Sequence, residues 1–420
     1  MRRVVVTGMG IWSCIGQDLQ TVTESLKQGR SGIGLCPERK QLGYHSLLSG
    51  IVPHPELKPL LERRLRNTLS EEAEYAFMAA REALLNAKID EAYCLQNEIG
   101  IVFGNDTSNK AVVNSYNNAV EACNTYVLGS GMTFQALTSN VSMNMANIFH
   151  LKGANVTTAS ACASGAQAVA LAAMFIQTGQ QHIVLAGGAQ ETNDISMIAF
   201  DGVNTLSKRN EDPAHASRPF DKNRDGLVPS GGAAALVLEE YEHAIARGAT
   251  IYAEFAGFGF SQNETPLGLP SAEGEYKAMC NALQNANLQP SDIDYINAHA
   301  TSTIAGDIAE AQALTRLFVP KIENRKSLIE NRPFISSTKS LTGHECWMAG
   351  ASEAVYTILM MQNSFVAPNI NIEELDDAVK DLNIIREQQD ATINIALSNS
   401  FGFGGTNCVL VFRKINSLIP

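Results

Sequence analysis

The chain has 420 residues, of which 45% are hydrophobic and 18% are charged, as is typical of a globular protein with a sizeable core. Its formal net charge of −12 argues against nucleic acid and against an anionic membrane surface as the main partner. The eight cysteines are scattered without a C-x-x-C pair, which predicts a cytoplasmic protein with reduced thiols and neither a disulfide scaffold nor a zinc site.

The apolar runs are too short for a membrane span. The longest clear run, residues 168–176, falls well below the roughly 18 residues that a membrane-spanning helix needs, and it suits a buried helix. At the start, "MRRVVVTGMG" combines two arginines with an apolar run, as a signal peptide does, but glycines interrupt that run early. These residues are therefore predicted to form a buried first strand and its turn.

Short aliphatic or β-branched runs alternate with longer helical patterns along the chain. This alternation predicts an α/β fold with a mostly parallel sheet covered by helices. Ten strands and four strong helices are predicted. The strands cover residues 3–8, 99–105, 154–159, 182–188, 233–240, 251–260, 293–300, 334–338, 393–400 and 408–412, and the helices cover 71–87, 163–179, 274–286 and 350–362.

The strands fall into two series of five, which suggests two halves with one topology. We place the first half at residues 1–250 and the second at 251–420. No low-complexity segment or long linker separates the two series, so the halves are expected to pack as one body.

One cysteine lies among residues that are nearly all small, in "TTASACASGAQAVA". Cys162 follows a predicted strand by a few residues and precedes a predicted helix. A helix N-terminus favours the thiolate through its unpaired backbone N–H groups and its dipole, and the small neighbours leave room for a substrate. The alternative is that Cys162 is a small buried hydrophobic residue in a tight helix contact.

Two histidines occupy positions of the same kind, where a predicted strand gives way to a helix. His299 ends the strand of "IDYINAHATST", and His344 follows Lys339 in "FISSTKSLTGHECWMAGASEAVY". In open α/β sheets, ligands bind beyond the carboxyl ends of strands. Cys162 and both histidines are therefore expected to converge on one cleft, although a single histidine of this kind is more often structural.

A glycine-rich stretch precedes the last predicted strand. "LSNSFGFGGTN" places Gly402, Gly404 and Gly405 around Phe401 and Phe403. Such a loop lets backbone N–H groups approach a ligand closely, as an oxyanion hole requires. The alternative is a plain glycine-rich turn.

Four motifs in this order, "SACASGA", "NAHATST", "STKSLTGH" and "NSFGFGGTN", resemble those of the β-ketoacyl-acyl-carrier-protein synthases, the condensing enzymes of fatty acid and polyketide synthesis. "SRPFDKNRDG" and "EEYEHAIARGATIYAEFAGFG" are similar to the family as well, and the resemblance runs from "VVVTGMGI" to "CVLVFRK". It implies the thiolase-like fold, in which two similar halves form five α-β-α-β-α layers.

The resemblance implies a decarboxylative Claisen condensation. Cys162 would accept an acyl group, and the backbone N–H groups of Cys162 and Phe403 would hold the oxyanion. His299 and His344, both neutral, would stabilise the enolate that malonyl-acyl-carrier protein forms when it loses carbon dioxide. Lys339 would add positive charge and orientation.

The resemblance extends to supporting residues. Glu353, nine residues after His344, is expected to pair with the catalytic lysine. Thr301 and Thr303 would hydrogen-bond the phosphopantetheine arm of the acyl carrier protein, and Gly404 would approach the substrate. No bound cofactor and no metal are expected, and Phe403 would double as a gate between acylation and condensation.

The implied partners are an acyl carrier protein and a second subunit, as a homodimer or as a heterodimer with a chain-length-factor-like subunit. A carrier protein is acidic, and this chain is acidic too, so its docking needs a local basic patch. The alternative is that each candidate docking residue is an ordinary solvent-exposed side chain. The candidate docking residues are Arg63, Arg64, Arg66, Lys208 and Arg209.

Where this sequence departs from the family's motifs, the changes are expected to affect recognition of the acyl chain. "HECWMAGASE" resembles the ketosynthases of aryl-polyene and flexirubin-type pigment clusters, where Trp347 would offer a flat surface to a conjugated chain. Asn105, Asp106 and Thr107 replace a glycine-rich stretch near the far end of the acyl pocket, and Thr107 is a candidate substrate-binding residue. The alternative is that Trp347 packs against a helix or a partner subunit.

Three other functions have partial support in the sequence. "DKNRDGLVPSGG" begins like an EF-hand loop, but its twelfth position is Gly232 where a glutamate is needed. "GMGIWS" approaches the dinucleotide-binding fingerprint with Ser13 in place of the third glycine, which keeps a nicotinamide-dependent oxidoreductase as a remote alternative. A non-catalytic chain-length-factor-like subunit is the alternative without chemistry, and the presence of Cys162 argues against it.

Overall fold

A ten-stranded sheet forms the framework of the protein. The computed structural model describes residues 1–319 and 332–415. The strands are β1 Val4–Trp12, β2 Ile33–Leu35, β3 Leu48–Gly50, β4 Gly100–Gly104, β5 Asn155–Thr158, β6 Ile183–Gln190, β7 Gly232–Glu240, β8 Ala253–Gln262, β9 Tyr295–Asn297, β10 Phe334–Ser336, β11 Phe365–Val366, β12 Gln389–Asp390, β13 Ile395–Phe401 and β14 Thr406–Arg413.

The helices cover the sheet and connect its strands. They are α1 Leu19–Gln28, α2 Arg63–Arg66, α3 Glu71–Asn86, α4 Glu91–Gln96, α5 Asn109–Ala122, α6 Gly129–Gln135, α7 Asn140–Ile148, α8 Ser164–Gln177, α9 Ile198–Gly202, α10 Tyr241–Ala246, α11 Ala272–Ala286, α12 Ile304–Phe318, α13 Lys339–Thr342 and α14 Ala349–Asn363. None of these described helices is both long and apolar enough to cross a bilayer.

The sheet repeats one strand order twice. From the junction outwards, one side runs β1-β7-β6-β4-β5 and the other runs β8-β14-β13-β9-β10. Within each set of five, the strands therefore lie in the order first, fifth, fourth, second, third along the chain. Antiparallel pairing of Val4–Val6 in β1 with Ala253–Phe255 in β8 joins the two sets. The boundary at residue 250 stays a prediction.

The packing forms five layers, as the resemblance implies. Helices α3 and α7 pack on the outer face of the first set of strands, and α11 and α12 pack against the second. Between the two sets, α8 and α14 contact each other and strands of both, within the largest buried cluster. The expected thiolase-like α/β fold is confirmed.

The ten predicted strands all lie in the large sheet, but the expectation of a mostly parallel sheet is wrong. Only β4–β5, β4–β6, β9–β10 and β9–β13 pair in parallel, whereas the other five pairs are antiparallel. In each half, the fifth strand returns antiparallel to the fourth. Between β13 and β14 this return needs only residues 402–405, which is a hairpin connection too short for a helix.

Helices α8 and α14 approach closely through small residues, and this contact positions the site. A Cβ on Gly350 would lie 2.5 Å from the backbone nitrogen of Ala166 and 2.5 Å from its Cβ. A Cβ on Gly165 would lie 2.9 Å from the backbone nitrogen of Ala351. Because α8 begins just after Cys162 and α14 begins just after His344, this contact brings the two segments together.

Candidate active site

A cavity of about 190 Å³ brings together the candidate residues of both halves. Cys162 lies before α8, His299 follows β9, and His344 lies between α13 and α14. All three line the cavity with Phe403 of the glycine-rich loop. The predicted convergence of strand ends on one cleft is therefore observed.

Cys162 lies in a tight turn with strained backbone geometry. Ala161, just before it, has a φ of 47°, in the left-handed region that a residue with a Cβ seldom adopts. The Oγ of Ser164 accepts a hydrogen bond from the backbone N–H of Ser160 at 2.8 Å and donates to the carbonyl of Ala161 at 2.7 Å. The carboxyl of Asp106 lies near the backbone N–H of Ala161, which lowers its pKa while burial raises it. These contacts fix the thiol against the cavity.

The thiol is neutral at pH 7. Burial raises the pKa of Cys162 to about 11, against the lowering effects of the Phe403 backbone N–H and the Lys339 ammonium group. The backbone N–H groups at the helix start therefore favour the thiolate, but burial outweighs them. The backbone N–H of Phe403 lowers the pKa of the thiol, so this donor lies near the sulfur.

The two imidazole rings face each other across the cavity. The centroids of His299 and His344 are 5.3 Å apart and the rings are nearly perpendicular, at 86°. Burial holds the pKa of both histidines well below the usual value, and the nearby Lys339 ammonium group lowers it further. Both rings are therefore neutral at pH 7, and each can donate one N–H to a ligand.

Lys339 and Glu353 form a buried ion pair, as expected from the resemblance. The Nζ of Lys339 contacts Oε1 of Glu353, and both side chains are about 98% buried or more. Burial raises the pKa of Glu353, while the charge and the hydrogen bond of Lys339 lower it. Lys339 does not line the cavity and acts on the histidines through its charge.

Glu310 holds the backbone at His299, and it was missed in the sequence. Its carboxylate accepts the backbone N–H of His299 at 2.9 Å and that of Ala300 at 2.6 Å, and also the Nδ2 of Asn399 at 2.9 Å. The only signal in the sequence is an acidic residue on the apolar face of the helix that follows the histidine. That signal indicates that the Glu310 side chain is buried, but it does not identify the groups that bind to it.

The glycine-rich loop combines an exposed and a half-buried aromatic ring. Phe403 is 41% exposed and stacks on Phe200, with centroids 5.5 Å apart and rings 11° from parallel. Phe401 lies edge-on to His299 at 5.8 Å. Gly404 has a φ of 83° and lines the cavity, as its predicted role requires.

The two threonines lie together on one wall of the cavity. The hydroxyl groups of Thr301 and Thr303 are 3.0 Å apart, and both residues line the cavity. Adding a Cβ to Gly306 would bring it within 2.6 Å of the Thr303 hydroxyl, so this glycine keeps the wall open.

Trp347 and Thr107 do not line the cavity. The Nε1 of Trp347 donates to the hydroxyl of Thr107 at 3.2 Å. The indole is 5% exposed and belongs to a buried cluster with Tyr44, Cys162 and Cys346. In this structure, Trp347 therefore offers no open surface to a chain.

The candidate docking residues lie in two separate segments. Arg63, Arg64 and Arg66 make up α2, where the first two are exposed, while Lys208 and Arg209 follow the cavity-lining Thr205. Arg209 is held by the carbonyl of Asn223 at 2.6 Å. The structure thus connects the second segment to the cavity wall, but it gives no such contact for α2.

The calcium-like loop is structural. Asp221 is buried and accepts the guanidinium N–H of Arg218 at 2.9 Å and the backbone N–H of Glu373 at 2.8 Å. Among residues 1–319 and 332–415, no group of acidic, histidine or cysteine side chains is arranged to hold a metal ion.

Comparison with known proteins decides the family. Residues 1–244 match the β-ketoacyl synthase N-terminal domain, and residues 252–373 match the corresponding C-terminal domain. The chain belongs to the β-ketoacyl synthase family. This membership overturns the nicotinamide-dependent oxidoreductase alternative.

The relatives match along their whole length. The 3-oxoacyl-[acyl-carrier-protein] synthase 1 of Haemophilus influenzae is 40% identical, and the alignment covers 99% of this chain and all of the relative. A β-ketoacyl synthase structure from Burkholderia phymatum has a TM-score of 0.92 at 36% identity, covering 99% of this chain and all of that one. The ishigamide ketosynthase/chain length factor has a TM-score of 0.89 at 27% identity, with the same coverage. The chain is therefore an enzyme of the β-ketoacyl synthase family, not an unrelated protein with its fold.

Proposed function

We propose that this β-ketoacyl synthase condenses an acyl thioester with malonyl-acyl-carrier protein to give a β-ketoacyl-acyl-carrier protein. The observation that carries the proposal is one buried thiol facing two neutral imidazole rings across a single cavity. A thiol accepts an acyl group, and two N–H donors stabilise an enolate. The full-length relative named as a 3-oxoacyl-[acyl-carrier-protein] synthase supports the substrate class.

In the first step, Cys162 attacks the thioester carbonyl and the carrier thiol leaves with the proton of Cys162. Backbone N–H groups of Cys162 and Phe403 hold the oxyanion, since both lower the pKa of the thiol and so lie close to its sulfur. Because the pKa of the free thiol is about 11, its proton must leave as the bond forms. The product is an acyl-enzyme on Cys162.

In the second step, the malonyl group loses carbon dioxide, and the electron pair of the broken C–C bond forms an enolate. His299 and His344 donate to the enolate oxygen, and Lys339, paired with Glu353, keeps both rings neutral. The carbanion attacks the acyl group, and the released Cys162 thiolate takes up a proton. These roles need no redox change.

The proposed carrier protein delivers both substrates on a phosphopantetheine arm. Thr301 and Thr303 are placed to hydrogen-bond this arm, because their hydroxyls line the cavity. Lys208, which is exposed and follows the cavity wall, is the better supported docking residue. The proposed site of action is the cytoplasm, where such carriers work.

A second subunit would cover an apolar surface. Helix α5 buries none of its residues, and strand β5 forms one edge of the large sheet. An edge strand without a partner among the described residues and an exposed apolar surface each favour pairing with a second chain of this fold, either identical or chain-length-factor-like. Sedimentation velocity at micromolar concentration tests this, and a monomer would contradict it. The exposed apolar residues are Val112, Val113, Tyr116, Val120, Tyr126, Val127, Phe134 and Leu137.

The kind of acyl chain that the enzyme elongates decides which biosynthetic pathway it serves. An aryl-polyene or flexirubin-type pigment pathway is the finer proposal, supported by the aromatic rings beside Cys162: Phe200 lies 6.2 Å from Trp347 and stacks on Phe403. Trp347 must turn away from Thr107 before a conjugated chain can stack on it. Competition between carrier-bound polyenoyl and saturated primers of equal length tests this, and preference for the saturated primer leaves fatty acid synthesis.

Two kinds of variant separate the two steps. Cys162→Gln removes the nucleophile but leaves both histidines, so we expect condensation to be lost while malonyl decarboxylation persists. His299→Ala or His344→Ala should still acylate Cys162 but lose decarboxylation by roughly a hundredfold or more, the usual contribution of one such donor. Full decarboxylation in both histidine variants would overturn the proposed roles.

A further inference from the structure

Glu275 is a buried acidic residue of the cavity that the proposed reaction does not use. It lies on α11, is 2% exposed, and lines the same cavity as Cys162 and His299. Its carboxyl makes no hydrogen bond with any residue of the described ranges, and its Oε2 is buried without a partner. Burying a polar group without a hydrogen-bond partner costs free energy. We therefore expect Glu275 to bind a ligand.

The neighbouring carboxyls all have structural partners. Glu310 accepts the backbone N–H of His299 and of Ala300. Asp307 accepts the backbone N–H of Phe220 at 2.8 Å and lies 3.2 Å from the guanidinium of Arg224. Glu275 alone among these buried acids stabilises no described part of the fold.

A second polar atom without a partner lies in the same cavity. Asn407 is 1% exposed, and its Nδ2 donates to Ser261 at 3.0 Å and to the Oδ1 of Asn263 at 2.8 Å. Because these acceptors fix the orientation of the amide, Asn407 Oδ1 is left as a buried acceptor without a partner among the described residues. Each group therefore offers a buried oxygen that can accept a hydrogen bond from a ligand.

We propose that Glu275, with Asn407 beside it, recognises the amide N–H groups of a pantetheine-type arm. This rests on the proposed function, in which such an arm carries the malonyl group into the cavity. The arm has two secondary amides, whose N–H groups match acceptors, while its carbonyl groups match the hydroxyls of Thr301 and Thr303. Glu275 is thus a specificity residue for the carrier arm rather than for the acyl chain.

The test has two arms. One removes the Glu275 carboxyl from the enzyme, and the other removes the amide groups from the substrate. Malonyl decarboxylation is measured with malonyl-pantetheine and with malonyl ethyl thioester, which lacks both amides. For Glu275→Leu, we expect kcat/KM to fall about tenfold with malonyl-pantetheine, mostly through KM, and to stay unchanged with the ethyl thioester. Glu275→Gln keeps an acceptor oxygen and should stay within about threefold of the wild type.

Controls separate recognition from folding and from other ligands. Glu273→Leu, on the same helix but with its carboxyl 70% exposed, should leave both substrates unaffected. Glu275→Leu should melt no lower than the wild type, because it removes an unpartnered buried acid. An equal loss with both thioesters, or recovery of the loss on adding potassium or ammonium ions, would overturn the proposal. Acylation of Cys162 by an ethyl thioester, measured in parallel, reports separately on the proposed function.

Discussion

At the scale of single residues, burial sets the protonation of the reacting groups. Cys162, His299 and His344 are each at least 92% buried, and burial disfavours the charged form of each of them. The free enzyme therefore holds a neutral thiol and two neutral imidazoles, and none of them carries charge until a substrate arrives. Lys339 favours the neutral form of both histidines, because its positive charge lowers their pKa.

The raised pKa of Cys162 predicts how its alkylation depends on pH. Iodoacetamide reacts with the thiolate, so the rate at Cys162 should rise about tenfold for each pH unit from 7 to 10 and should not level off, given a pKa of about 11. Peptide mapping measures this rate, with the exposed Cys123 in the same sample as a check on the reagent. A plateau at pH 8 would show that the thiolate is stabilised after all.

The lowered pKa of the histidines predicts that malonyl decarboxylation does not change with pH near neutrality. A neutral imidazole is lost only when pH falls below its pKa in the folded state, which lies well below 6.5. Malonyl decarboxylation by Cys162→Gln should therefore stay constant between pH 8 and pH 6. A decline with a midpoint near 6.5 would mean that at least one ring titrates as it does in water.

At the scale of elements, the end of β9, the start of α8 and the link between α13 and α14 carry the site, and the sequence signals for them were strong. The ten apolar runs predicted as strands all form the large sheet, because most of them are bounded by polar or glycine residues and followed by a helical pattern. The hairpin β13–β14 breaks that rule and could not be recognised as antiparallel. Helix α5 was not predicted, although Val112, Tyr116 and Val120 recur at helical spacing, and none of its residues is buried within the chain.

The α8–α14 contact should tolerate no added methyl group. Gly350→Ala would put a Cβ 2.5 Å from the backbone of Ala166, so we expect a loss of about 1–3 kcal/mol in the free energy of unfolding, and slower acylation because Cys162 precedes α8. Gly202→Ala is the matched control, because nothing lies within 4 Å of its added Cβ. Urea unfolding of both variants measures the difference. Equal stability of the two variants would mean that α8 and α14 shift apart freely.

The basic segments should differ in their effect on the carrier. Lys208→Glu should weaken carrier-dependent turnover more than Arg63→Glu with Arg64→Glu, because only Lys208 follows a wall of the cavity. The loss should be larger at low salt than at high salt, since exposed charges are screened. An unchanged KM for the carrier in every variant would move the docking site elsewhere.

At the scale of the whole molecule, duplication of one strand order brings the site together. The first set of strands supplies Cys162 and the second supplies His299, and only their packing across α8 and α14 makes one cavity. The motifs allowed this convergence to be predicted. Glu275 and Glu310 were not predicted, because an acidic residue in a helical pattern reads as solvated until its burial is known.

The central claim is that Cys162 carries the acyl group through the reaction. The most direct test incubates the protein with an acyl-carrier thioester and locates the adduct by peptide mass spectrometry, for the wild type and for Cys162→Ala. We predict one acyl group per chain on the peptide that contains Cys162, released when malonyl-carrier is added, and no adduct in the variant. Acylation that survives in Cys162→Ala, or an adduct on another cysteine, would contradict the account.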